Sequence, residues 1–429
     1  MSVDPIVTAR FLYEDSYTLD RYLKTGGYQA LRKALNMNPE DVFKEVDKAS
    51  LLGRGGAGFP AGRKWSMLAK NPVRYLVVNG DESEPATFKD RNLIEKDPHQ
   101  IIEGSIIAAY AIGAAQAFIY CRGEFALGLE RLEAAVKEAY EYGALGRDIF
   151  NSGFSLDLVI HPGAGAYICG EETALLESLE GKRGFPRIKP PYFPAAIGLY
   201  KKPTVVNNVE TVSNIPWIIL NGGQRFASLG GGSSTGTRIF ALSGHVKKPG
   251  YYEVEMVKTT FRDLIENYGG GVRDDNQVKF FIPGGVSSPW FGPDLLDLPL
   301  SQEEVAKNNS MLGSGSVIVV DVNSCAVRVA WRITKFFYRE SCGQCTPCRE
   351  GSGWVEKIMR RIETGNGREQ DLDLLLDSLD NISPGLRWPP AQTTICVLGP
   401  SIPPSVHSAI EIFRDEFLIH IKEGRCPYD

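Results

Sequence analysis

Between about Tyr75 and Ile160 two apolar rhythms alternate along the chain. RYLVVNG, AFIYCRG and LDLVIHP hold short runs of apolar residues bounded by glycine or proline and predict strands. The stretches between them, PHQIIEGSIIAAYAIGAA and EFALGLERLEAAVKEAYEYG, carry apolar positions at helical spacing. Strand and helix in alternation predict an α/β domain with a parallel sheet covered by helices, closed by a helix over NNVETVSNIPWIILNGG. This first domain is expected over residues 1–228. A glycine–serine break, GGGSSTG at 230–236, precedes short strands in RIFALSGHV, GYYEVEM, QVKFFIPGG and SVIVVD. One amphipathic helix is expected in TTFRDLIENYGGG, so residues 237–328 predict a small β-grasp-like domain. From 330 to 429 the pattern turns helical through VAWRITKFFYRE, GWVEKIMRRIETG and SAIEIFRDEFLIHIKEG, predicting a small helical bundle.

Composition narrows the class of function. A chain of 429 residues exceeds one hydrophobic core, and 43% hydrophobic with 23% charged residues is ordinary for a folded protein. A net charge of -5 without a Lys/Arg block offers no long-range attraction to phosphodiester backbones, so nucleic acid is not an expected partner. The uncharged run from Gly104 to Cys121 is short for a bilayer span and reads as a buried helix followed by a strand. MSVDPIVTARFLYEDS lacks the order of a secretory signal, and export is not expected. The 8 cysteines then point to a reducing compartment, with thiols used for metal or redox chemistry.

Their spacing shows which. Cys342, Cys345 and Cys348 form CGQCTPC, and Cys396 follows far downstream in TTICVLG. Thiolates so spaced wrap one face of a cubane, and a distant fourth completes the ligands of a [4Fe–4S] cluster. Zinc is the alternative, but it more often takes separated CxxC pairs or histidines. Cys121, Cys325 and Cys426 have no such spacing and are expected to be structural. Cys169 stays open because it lies inside a second motif.

Gly53-Arg54-Gly55-Gly56-Ala57-Gly58-Phe59-Pro60 is followed by a short helical stretch bearing Lys64. It matches GxGxxG formally but follows a helical segment, PEDVFKEVDKASLL, so a standard dinucleotide-binding unit is not expected. The glycines still allow backbone N–H groups to approach a phosphate at a helix start. Asn79-Gly-Asp81-Glu82-Ser83-Glu84-Pro85 stands at the carboxyl end of the first predicted strand, where α/β sheets bind ligands. GAGAYICGEETAL, with Tyr167, Gly170, Glu171 and Glu172, ends the third strand and opens a helix. Its acids serve equally as a structural helix cap.

Taken in order, GRGGAGFP, NGDESEP, GAGAYICGEETAL, NNVET and ESCGQCTPCREG resemble the motifs of the flavin-containing NADH-binding subunits of respiratory complex I, shared with diaphorase subunits of NAD-reducing hydrogenases and formate dehydrogenases. The resemblance implies an α/β flavin domain, a ubiquitin-like middle domain and a four-helix cluster domain. It implies FMN and a [4Fe–4S] cluster as cofactors and NADH as substrate. FMN contacts then fall on Gly53, Arg54, Gly55, Gly56, Lys64, Asn79, Asp81, Ser83, Tyr167, Gly170, Glu171, Glu172, Asn207, Asn208 and Thr211. NADH contacts fall on Phe59, Lys64, Glu84, Glu172, Lys189 and Tyr192, with Phe59 stacking on adenine; Met67 stands where some relatives carry a second aromatic. No acid–base residue is required, because hydride transfer needs positioning, with Glu84 and Glu172 as orienting groups. The implied partners are a thioredoxin-like [2Fe–2S] subunit and the large iron–sulfur subunit of the peripheral arm. The implied location is cytoplasmic, at the inner face of the cell membrane, or the matrix side in a mitochondrion. A soluble hydrogenase or formate dehydrogenase diaphorase is the alternative within the class, and a colourless zinc or nucleotide-binding scaffold the alternative outside it.

Overall fold

The computed structural model describes residues 4–428. They form two compact units: one takes in residues to Ser83, Thr87–Phe240 and Glu253–Lys258, the other Glu84–Ala86, Ala241–Tyr252 and Thr259 onward.

In the first unit, α1 (Pro39–Lys48) and α2 (Ala61–Ser66) flank the glycine loop. There follow β1 (Tyr75–Gly80), α3 (Lys89–Lys96), α4 (Pro98–Ile112), β2 (Gln116–Cys121), α5 (Ala126–Glu141), β3 (Asp157–Pro162), α6 (Glu172–Leu179), β4 (Thr204–Asn208) and α7 (Val209–Asn221). The sheet runs β3-β2-β1-β4 and is parallel throughout. Leu76, Val77, Val78, Ala117 and Ile119 are fully buried, as a sheet covered on both faces requires. β3, one of the two edge strands, departs from that pattern: Asp157, Val159 and Pro162 are exposed. The uncharged run resolves into α4 and then β2, as its pattern predicts. Asp97 caps α4 by accepting from the Gln100 N–H at 3.3 Å, and Gly113, at φ +67, ends it. A side chain at Gly104 would sit 2.0 Å from the Val212 carbonyl, so glycine there sets how closely α4 packs on α7.

The first compact unit continues past the glycine–serine stretch to Phe240. The Arg54 guanidinium donates to the carbonyls of Thr235 and Thr237 at 2.9 Å each, and Ile239 N–H donates to Glu210 at 2.9 Å. These buried polar contacts draw the chain up to Phe240 into the first unit.

The second sheet contains β5 (Thr237–Gly244), β6 (Gly250–Glu255), β7 (Val278–Ile282) and β8 (Ser316–Asp321), in the order β6-β5-β8-β7. β8 runs parallel to β5 and antiparallel to β7. The helix expected in TTFRDLIENYGGG is a short π-helical turn, Asp263–Tyr268, whose wide coil closes with Gly269 N–H donating to the Leu264 carbonyl at 2.9 Å. The C-terminal helices are α8 (Ala326–Glu340), α9 (Thr346–Glu363), α10 (Asp371–Ile382) and α11 (Leu398–Glu423), each packed on at least two others. The β7 strand joins them: Phe280 stacks on Trp290 at 4.2 Å and meets Phe413 at 5.2 Å, while Lys279 pairs with Glu416 at 2.7 Å. β7, β8 and the C-terminal helices fall in one unit. Among the described residues no helix is long and apolar enough to cross a membrane.

Candidate functional site

The sheet order makes a switch point. From β1 the chain crosses to β2 on one side, whereas β4 lies on the other side of β1, so the loops leave in opposite directions from the carboxyl ends of β1 and β4. Asn79 and Asn208 are register partners there, as are Val78 and Asn207.

The sequence motifs converge on that point through named contacts. The glycine loop reaches α7, because the Arg54 N–H donates to Thr211 Oγ1 at 2.9 Å, and Gly55 comes against the Asn208 side chain. Gly56, at φ +142, has no neighbour within 4 Å of the position a Cβ would take, leaving an open cradle of backbone. Asn79 Nδ2 donates to the Gly170 carbonyl at 2.9 Å, joining β1 to the loop before α6. Asp81 N–H donates back to Asn79 Oδ1 at 3.0 Å, and Ser83 Oγ donates to Asp81 Oδ1 at 3.1 Å. Trp65 Nε1 donates to Asn207 Oδ1 at 2.8 Å. Tyr167 lies on the short 3-10 turn Tyr167–Gly170 that leads into α6.

Lys64 extends from α2 to the Glu172 carboxylate and the Val206 carbonyl, both at 3.0 Å. Lys189 binds Glu172 at 3.1 Å and Glu171 at 2.9 Å, so four charged groups alternate in one chain. Burial pushes the Glu172 carboxyl up, but Lys64 and Lys189 outweigh it and hold Glu172 below the ordinary carboxylate range. Burial likewise pulls Lys189 down, and the two glutamates more than restore it.

Several predicted residues are committed to scaffolding. The Arg54 side chain is buried and spent on backbone carbonyls, which leaves its backbone as the part in the loop. Glu171 is the N-cap of α6, accepting from the N–H groups of Thr173 and Ala174 at 2.9 Å each. Asn208 caps α7 through Glu210 N–H at 2.9 Å. Phe59, Met67 and Tyr192 are exposed, and the Arg63 guanidinium lies 5.6 Å from the Phe59 ring. Glu84 belongs to the second unit, where its Oε1 accepts from Ser287 N–H at 3.0 Å and Ser287 Oγ at 2.8 Å. Cys169 is buried with its sulfur against Gly165 and Gly184, a packing role that the motif alone left open.

The sequence reading missed the ionic floor of the site. Lys89, 1% exposed, contacts Asp90 at 2.7 Å, Glu210 at 3.0 Å and Asn208 at 3.3 Å. Burial opposes its charge, but Asp90 and Glu210 prevail and keep it protonated. Glu82 caps α3 by accepting from Asp90 and Arg91 N–H, and burial, with Asp90 nearby, pushes its carboxyl upward. A lysine buried among acids gives no local sequence signal, since its partners come from residues 90, 208 and 210. Lys89→Met leaves two buried carboxylates uncompensated and is expected to cost about 3–5 kcal/mol. Thermal unfolding checks this: a melting temperature unchanged from the parent protein contradicts the role assigned to Lys89.

In the second unit, Cys342 and Cys345 lie in a loop turned by Gly343 at φ +82, and Cys348 is buried in the first turn of α9. Ile395 N–H donates to Cys345 Sγ at 3.4 Å, bringing the segment with Cys396 to the loop. Gly399 permits α11 to approach, since a Cβ there would lie 2.9 Å from Cys348 Cβ. Ser341 Oγ lies 3.2 Å from Cys348 Sγ. Burial, with Cys342 and Cys345 beside it, pushes the Cys348 thiol up. That donor set fits an iron–sulfur cluster.

Three families match along the chain: the Nuo51 FMN-binding domain over residues 46–217, the SLBB domain over 239–288, and the NADH-ubiquinone oxidoreductase-F iron-sulfur binding region over 328–420. The F subunit of the NADH-quinone oxidoreductase of Mycobacterium tuberculosis (strain ATCC 25618 / H37Rv) is 49% identical over 434 residues, covering 99% of this chain and 95% of the relative. The corresponding F subunit of Aquifex aeolicus (strain VF5) is 47% identical over 402 residues, covering 94% and 91%. Among solved structures, an NAD+-reducing [NiFe]-hydrogenase in the H2-reduced state aligns with TM-score 0.82 and 35% identity, covering 96% of this chain and 67% of that one.

Proposed function

We infer the function from one premise: the chain belongs to the family of NADH-quinone oxidoreductase F subunits. It is the NADH-oxidising, electron-input subunit of an oxidoreductase, with FMN and a [4Fe–4S] cluster as cofactors. When bound, FMN would supply a hydride acceptor for NADH and a donor of single electrons to the cluster. The residues hold and orient. The loop of Gly53, Arg54, Gly55 and Gly56 would hold the flavin phosphate, through N–H groups other than those of Gly53 and Arg54, which are bonded to the Phe59 carbonyl and Thr211 Oγ1, and Lys64 would add a cation. Asn79, Asp81, Ser83, Tyr167, Gly170, Asn207, Asn208 and Thr211 shape the flavin cavity. Phe59 offers its exposed face to adenine, and Tyr192 and Lys189 border the dinucleotide. Glu172 would orient the dinucleotide, and no side chain acts as acid or base. Cys342, Cys345, Cys348 and Cys396 ligate the cluster, carried by α8 to α11 as a four-helix bundle. The working division is a flavin domain over 1–228, a ubiquitin-like domain over 237–328 and a cluster domain over 330–429.

One observation carries the assignment of the flavin site: the glycine loop, β1 and β4 meet at the switch point with the Gly56 cradle left open. The partners we assign are a thioredoxin-like [2Fe–2S] subunit and a large iron–sulfur subunit, in an assembly peripheral to the inner face of the membrane. The likeness to an NAD+-reducing hydrogenase supports a second reading, a diaphorase subunit of a soluble enzyme. Anaerobic NADH titration of the purified complex tests the function. The expected protein is yellow-brown, and NADH bleaches its flavin absorption. A colourless preparation, or a spectrum indifferent to NADH, overturns the assignment. The subunits that copurify decide between the quinone-reducing complex and the soluble enzyme.

A further inference from the structure

Cys325 Sγ, His420 Nε2 and Cys426 Sγ are buried and lie within 4.8 Å of one another. Cys325 is the N-cap of α8, whereas the cluster cysteines begin beyond its C-terminus. A helix of 15 residues is about 22 Å long, so the two cysteine groups occupy opposite ends of α8. Cys325 Sγ stands 3.4 Å from His420 Nε2. Glu363, the last residue of α9, brings Oε2 to 3.7 Å from Cys325 Sγ and 3.5 Å from His420 Nε2.

These separations have the scale of a mononuclear site. With metal–sulfur bonds of about 2.3 Å and metal–nitrogen or –oxygen bonds of about 2.0–2.2 Å, neighbouring ligands of a tetrahedron lie roughly 3.4–3.8 Å apart. The surroundings are those of a ligand set. His420 Nδ1–H donates to the Glu416 carbonyl at 2.8 Å, which fixes the ring tautomer and turns the Nε2 lone pair toward the thiols. Arg328 N–H donates to Cys325 Sγ at 3.2 Å, and its guanidinium holds Glu363 Oε1 at 2.5 Å while Oε2 faces the centre. The charges close: a divalent cation, two thiolates and one carboxylate sum to minus one, which Arg328 neutralises. A thiol–imidazole hydrogen bond accounts for Cys325 and His420 alone. It gives no reason for a second sulfur and a carboxylate to converge on them.

We propose that Cys325, His420, Cys426 and Glu363 bind a structural Zn2+ ion, separate from the iron–sulfur cluster. Two soft sulfurs, an imidazole and a carboxylate select zinc among the common divalent ions. The ion ties the start of α8, the end of α9 and α11 to the segment after Gly424, whose φ of +65 turns the chain back to bring Cys426 inward. It thereby staples the helices at the end remote from the cluster.

The test uses the full chain copurified with its partner subunits. Elemental analysis is expected to find about one zinc per chain in addition to cluster iron. The Cys325→Ser/Cys426→Ser double variant is expected to lose zinc at least tenfold while its flavin content and low-temperature cluster EPR signal persist. Should that variant not fold, zinc X-ray absorption on the parent protein decides, with two sulfur and two nitrogen or oxygen neighbours expected. Parent protein without zinc that also fails to give a cobalt–thiolate absorption band when prepared with Co2+ overturns the proposal and leaves a thiol–imidazole cluster only. Recovery of a Cys325–Cys426 disulfide from freshly prepared, alkylated parent protein overturns it as well.

Discussion

A Cys345→Ser protein is expected to keep its flavin and to reduce a small artificial acceptor with NADH, while electron delivery to partner subunits falls by on the order of 100-fold or more. The expected loss follows from ligand chemistry: a serine hydroxyl is a harder and far less acidic donor than a thiol, and iron–sulfur clusters are held by thiolates. Local structure makes the substitution a clean one. Cys345 is the N-cap of α9, a position that serine fills well, so the helix start survives the change. The residues proposed to hold the flavin, from Gly53 to Thr211, belong to the other compact unit, so the substitution does not disturb their contacts. Low-temperature EPR and paired activity assays check the result. An unchanged cluster signal with full delivery to the partners would sink the ligand assignment of Cys345, and circular dichroism separates misfolding from broken electron transfer.

Glu172→Gln is expected to raise the preference for NADPH over NADH by about tenfold in the ratio of kcat/KM, equivalent to about 1.4 kcal/mol. Glu172 is the only partner that Lys64 and Lys189 share among the described ion pairs. Replacing its charge turns a balanced chain of two lysines and two glutamates into a net cation, which favours the added 2′-phosphate. The pH sign follows from the downward shift. A carboxyl held below its ordinary 4.5 is ionised throughout neutral pH, and its contribution is lost only as pH falls through the depressed value. The parent protein's discrimination is therefore expected to be flat across neutral pH. An unchanged ratio in the variant, with flavin content intact, removes Glu172 from the specificity of the site.

Much of this architecture is legible in one dimension because its causes are local. Apolar period distinguishes strand from helix, so β1, α4, β2 and α5 fall where the pattern places them. The cysteines proposed to hold the cluster are legible for a related reason: CGQCTPC holds three of the four thiols within one loop and one helical turn. The glycine loop is legible as a loop but not as a flavin site. It follows α1 rather than a strand, so the usual dinucleotide signature is absent.

The tertiary structure decided what depends on contacts between distant residues. Nothing local says that β4 pairs with β1 instead of extending the sheet beyond β3, yet that pairing creates the switch point and sets Asn79 beside Asn208. The roles of acids and bases needed their partners: Glu171 became a helix cap, Arg54 an internal clamp and Lys89 a buried counter-ion. Period alone does not show that β7 packs on the C-terminal helices, a contact made by Phe280, Trp290 and Phe413. Cys325, His420 and Cys426 are the clearest case. No spacing rule joins residues so far apart, because their proximity is made by the packing of α8 against α11. Periodicity records which face of an element is buried, but not which other element buries it.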